Sequence, residues 1–106
     1  MKDQVFVEFE KWFKNKETDW NKEGIFIKEI HYEIEKEHCY RIGVESENGL
    51  GNIALYESNN IYWIDLEAGN YDYDVMFIIS DIRFKKIEDI NSLVDEWSEH
   101  LTWTGN

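Results

Sequence analysis

Proline is absent from this 106-residue chain, and cysteine occurs once. With no proline, no Gly/Ser-rich stretch, no low-complexity run and no internal repeat, nothing marks a domain boundary. Residues 1–106 are therefore expected to form one domain, a size that a single hydrophobic core serves. The lone Cys39 cannot form a disulfide within the chain and reads as a small packing residue. Long apolar runs are missing too. The longest, residues 75–79, is far short of the roughly 18–20 residues a membrane-spanning helix needs. The start, Met1-Lys2-Asp3-Gln4, leads into a charged amphipathic segment, so the expected compartment is the cytoplasm.

Positive charge is scarce. Against 23 acidic residues stand 11 basic ones, a formal net of −12. Between Arg41 and Arg83 there is no Lys, Arg or His, while Glu45, Glu47, Glu57, Asp65, Glu67, Asp72, Asp74 and Asp81 all fall there. Over residues 1–41, 42–82 and 83–106 the net charge divides as −2, −8 and −2. Such a field repels phosphate, which disfavours direct contact with nucleic acid or an anionic membrane. A basic protein is the favoured partner, because opposite fields speed encounter by ~10- to 1,000-fold at low salt.

What is abundant is aromatic and aliphatic residues, 42% apolar and 16% aromatic, ample for a packed core. Val5, Phe6, Phe9, Trp12, Phe13 and Trp20 recur at three- and four-residue spacings, which predicts an amphipathic helix over about residues 3–20. Asp3 can cap its start and Gly24 supplies its stop. Ile90, Leu93, Val94, Trp97 and Leu101 predict a second helix, with Glu88 or Asp89 near its start and His100 favourable at its end. Residues 102–106 are expected to fray.

The middle predicts strands. Residues 25–37 form one run whose apolar phase shifts, implying a bulge around Lys28-Glu29. Tyr40, Ile42 and Val44 alternate with Arg41, Gly43 and Glu45; Glu47-Asn48-Gly49 then reads as a hairpin turn with positive φ values. Residues 52–57 follow, then a turn at Ser58-Asn59-Asn60, a strand over 61–66, a turn at Gly69-Asn70 and a strand over 75–79, which Ile82 and Phe84 extend. The expected fold class is α+β: an antiparallel meander of about five strands, with an N-terminal and a C-terminal helix packed on one face.

Apolar residues occupy both phases of the later strands, so two helices on one face leave Tyr or Trp uncovered on the other. Aromatics ringed by carboxylates are the usual make-up of a protein-binding surface. The candidate partner-binding residues are Glu45, Glu47, Tyr56, Glu57, Tyr62, Asp65, Glu67, Tyr71, Asp72, Tyr73 and Asp74. Asp65-x-Glu67 and Asp72-x-Asp74 also have the same-face spacing of a cation site, but no His, EF-hand pattern or Cys/His set joins them. No catalytic residue, metal or cofactor is therefore assigned. A small metal-dependent enzyme and a nucleic-acid mimic that inhibits a DNA- or RNA-binding protein are the alternatives.

The order of residues also carries a resemblance. A helix with Phe9 and Trp12, then Trp20 and Gly24, Ile42-Gly43-Val44-Glu45-Ser46, Gly49-Leu50-Gly51-Asn52-Ile53-Ala54-Leu55-Tyr56-Glu57, and Trp63-Ile64-Asp65-Leu66 before a final helix resemble the TriTu-type immunity proteins of bacterial polymorphic toxin and contact-dependent inhibition systems. The likeness spans about residues 5–101, with Tyr56 where the family's Gly-x-Ile-x-x-Trp-Glu segment has Trp. It implies a small protein that binds the effector domain of a cognate toxin, often a basic nuclease, and prevents self-intoxication; the chain is expected to be non-enzymatic and a monomer or weak homodimer.

Overall fold

The computed structural model describes residues 4–36, 38–71 and 75–102. Helix α1 (Gln4–Lys22) buries the six apolar residues whose spacing predicts it, Val5, Phe6, Phe9, Trp12, Phe13 and Trp20. It ends in a Schellman turn: Ile25 N–H donates to Trp20 O at 2.8 Å and Gly24 N–H to Asn21 O at 3.1 Å, with Gly24 at φ +85°. Asp3, the expected cap, lies outside the described residues.

Five strands follow: β1 (Phe26–Glu33), β2 (Cys39–Glu45), β3 (Gly49–Ser58), β4 (Ile61–Asn70) and β5 (Val75–Phe84). They form one antiparallel sheet in chain order. The β1 bulge is where the phase shift puts it, since Ile27 pairs with Val44 and Glu29 with Gly43, leaving Lys28 extra. β1 stops at Glu33, earlier than the run to residue 37 suggests, because the Glu33 carboxylate accepts the N–H groups of Glu35 and Lys36 and turns the chain. Asn59 and Asn60, at φ 52° and 66°, make the two-residue turn of the β3–β4 hairpin.

Two turns differ from expectation. Neither Asn48 nor Gly49 takes a positive φ. The Ser46 hydroxyl instead accepts the N–H groups of both, at 3.2 and 3.3 Å, and donates to Leu101 O at 2.7 Å. Gly49 is needed for close approach, because a Cβ there would collide with the Gly69 carbonyl. Gly69 and Asn70 do not turn the chain; they extend β4, paired with Leu50 and Gly49. β4 is thus longer than residues 61–66.

A 3₁₀ turn (Ile87–Ile90), its start held by the Asp89 carboxylate on Lys86 N–H, runs into α2 (Asn91–Thr102). Both helices cover one face of the sheet, as expected. Tyr40 on β2 sits amid Phe6, Phe9 and Phe13 of α1, with ring centroids 5.4–6.2 Å apart. Gly51 on β3 lets α2 settle, since a Cβ there would lie 2.8 Å from Trp97 Cζ2. Trp20 meets Trp97 edge-on at 5.7 Å, and Trp12 Nε1 donates to Asn91 Oδ1 at 2.8 Å, so the helices brace each other. Cys39 is buried.

Candidate protein-binding face

Strand alternation sends Tyr40, Ile42, Val44, Ile53, Leu55, Ile64 and Leu66 into the core under the helices. The residues between them point the other way, onto a face that no helix covers among the described residues. Register sets that face out in cross-strand rows: Cys39–Tyr56–Trp63–Arg83, then Arg41–Ala54–Asp65, then Gly43–Asn52–Glu67–Ile78, then Glu45–Leu50–Gly69. The Tyr56 and Trp63 rings stack, centroids 5.6 Å apart and planes within 14°. Burial chiefly, then Cys39 and Asp65 nearby, push the Tyr56 phenol above its ordinary range, while Arg41 pulls it down. The small Ala54 side chain lowers the floor, leaving a depression of about 300 Å³ walled by Glu29, Arg41, Asn52, Tyr56, Asp65, Glu67 and Ile78.

The expected binding residues divide into four groups. Glu45, Tyr56, Asp65 and Glu67 share the uncovered face. Glu47, in the β2–β3 turn, and Tyr71, whose hydroxyl donates to Ser46 O at 2.6 Å, sit at one end of the sheet. Glu57 and Tyr62 belong to the covered side, a correction to their place in the candidate set. Glu57 faces Tyr62 across β3–β4, and its carboxylate holds His38 Nδ1 and the Asn60 N–H, each at 3.2 Å; the Tyr62 ring packs toward Phe84. Asp72, Tyr73 and Asp74 lie outside the described residues.

Counter-charge is nearer in space than in sequence. Lys28 reaches Glu45 at 3.6 Å, and Arg41 and Arg83, which bound the stretch without bases, both project onto the uncovered face. Asp65 also supports the backbone, since its carboxylate accepts the Asp81 N–H at 2.9 Å and so holds the β5 bulge where Asp81 takes φ 58°. Among the described residues no three His, Cys, Asp or Glu side chains converge as metal ligands.

Trp63, Leu50, Ile78, Asn52, Glu29, Arg41 and Arg83 belong to the face and are absent from the expected set. Parity along a strand was the available signal, since Trp63, Asp65 and Glu67 alternate on β4. Among the described residues no helix is long and apolar enough to cross a membrane. Comparison of the chain with protein-family models, curated proteins and solved structures finds no match.

Proposed function

We propose that this chain is an immunity-type inhibitor, which neutralises a toxin by docking the uncovered face of its sheet on a basic effector domain. The observation that carries the reading is that face itself: a stacked Tyr56–Trp63 pair and exposed Leu50 and Ile78 share it with Glu29, Glu45, Asp65 and Glu67. Aromatic and aliphatic anchors supply contact area, and surrounding carboxylates steer a cationic partner. The net charge of −12 acts in the same direction at longer range. A stable complex needs about 1,600 Å² of total burial, roughly 800 Å² from each partner.

The direct experiment mixes the purified chain with the toxin encoded beside its gene, and co-expresses the two in cells. Complex formation and survival are expected; failure of both removes the reading. The double variant Asp65→Asn/Glu67→Lys keeps the acceptor that the β5 bulge needs while removing negative charge. Its association rate should fall about tenfold at low salt, with a shallower salt dependence and a melting temperature no lower than wild type. Wild-type kinetics in that variant would show that the toxin docks elsewhere.

A further inference from the structure

The uncovered face has a polarity along its strands. One end carries Tyr56 and Trp63 and the other Leu50, which is 48% exposed, while Ile78, 60% exposed, flanks the middle on β5 opposite Glu67. Between them runs a charged band in which Glu29, Asp65 and Glu67 outnumber Arg41. The floor of that band is the low ground over Ala54. Leu50 and Tyr56 stand six residue steps apart on β3, about 20 Å at the rise of an antiparallel strand. An α-helix covers about 20 Å in roughly 13–14 residues.

Both edges of the sheet are poor docking sites by comparison. β1 is interrupted by its Lys28 bulge, and β5 departs from regular pairing twice, between Ala68/Gly69 and between Ile64/Leu66. Bulged edges resist the addition of a strand. A second copy of the chain is disfavoured on this face, because it would set Glu29, Asp65 and Glu67 against the same acids while each chain carries −12.

We infer that the uncovered face receives a basic amphipathic α-helix of the partner, laid along β3 with Arg or Lys at its centre over the Ala54 depression and apolar residues at its ends, on Tyr56–Trp63 and on Leu50, with Ile78 along its flank. This rests on the proposed function in naming a protein partner, and adds the element by which that partner docks. The helix stands on this face as α1 and α2 stand on the other, so the sheet becomes a middle layer. Its central cations meet the carboxylate surplus, and its ends and flank cover the exposed apolar side chains.

The test uses the whole chain and a capped, alanine-based helical peptide of about 14 residues, with Leu at both ends and two Arg at the centre of one face. A control peptide has Glu in place of Arg. A free helix of this length is only marginally formed, so docking should raise its helical circular dichroism. Shifts in the chain's NMR amide signals should map to Tyr56, Trp63, Leu50 and Ile78, and the Glu peptide should bind at least about tenfold more weakly. The Leu50→Ser/Ile78→Ser variant should also lose affinity while keeping its melting temperature. The inference is overturned by equal binding of the two peptides, by no binding at millimolar peptide, by binding without gain of helix, by shifts confined to α1, α2 or a sheet edge, or by a dimer of the chain that protects Leu50 and Ile78. If these peptides fail while the neighbouring toxin binds, the helix is wrong and the inhibitor reading stands; the reverse outcome removes the reading and keeps the helix.

Discussion

At the scale of single residues, Tyr40 is where the two roles of an aromatic side chain meet. Its ring is surrounded by Phe6, Phe9, Phe13 and Tyr32, and its hydroxyl is held near Glu10. Burial first, then the Glu10 carboxylate, push its pKa from 10.0 up to about 12. A phenol whose folded pKa is raised binds its proton more tightly when folded. Its contribution is therefore complete below pH 10 and is lost as pH rises through about 12. In an alkaline titration followed by tyrosinate absorbance, Tyr40 should ionise last and together with unfolding. Tyr40→Phe should remove that last step and flatten the loss of stability between pH 10 and 12. Early, reversible ionisation of Tyr40 in the folded chain would show that its hydroxyl is open to water.

At the scale of elements, the seat of α2 on β3 depends on a residue without a side chain. A Cβ at Gly51 would stand 2.8 Å from Trp97 Cζ2 and 3.0 Å from Leu101 Cδ1, inside normal contact distance. Trp97 cannot retreat freely, because its Nε1 donates to Glu67 O on β4 at 2.7 Å. Gly51→Ala should thus destabilise the fold by about 1–3 kcal/mol through overpacking, read as a lower urea midpoint with an unchanged slope. A midpoint equal to wild type would mean that α2 slides without penalty.

Much at this scale is legible in the sequence, and the misses have physical causes. The 3.6-residue period in Val5, Phe9, Trp12 and Phe13 and the Gly24 stop locate α1, and the phase shift at Lys28 locates a bulge, because periodicity reports directly which side is dry. Asn48-Gly49 and Gly69-Asn70 mislead because their glycines answer to each other: Gly49 makes room for the Gly69 carbonyl across β3–β4. Such a contact between distant residues leaves no local pattern. The candidate face is half legible for the same reason. Strand parity puts Asp65 and Glu67 on the uncovered face, while Glu57 and Tyr62 have a similar composition and the opposite phase.

At the scale of the whole molecule, the charge of −12 is carried on a chain whose cations cannot neutralise it. Ion pairs such as Lys14–Glu10 at 2.9 Å and Lys28–Glu45 at 3.6 Å lie on exposed strands and helix turns, where each contributes under about 1 kcal/mol. The acids of α2, Glu96 and Glu99 among them, are exposed on the same molecule as the sheet face. Folding therefore gathers like charges that the extended chain keeps apart, and self-repulsion opposes it. Salt shortens the reach of that repulsion, from a screening length of about 30 Å at 0.01 M to about 10 Å at 0.1 M. The melting temperature should accordingly rise by several degrees between those salt concentrations, while the rate of association with a basic partner falls over the same range. Calorimetry and stopped-flow mixing in matched buffers would show both. A melting temperature that fell with salt would mean that attractive pairs outweigh the surplus, and that the acids of the uncovered face are neutralised within the fold and unable to steer anything toward it.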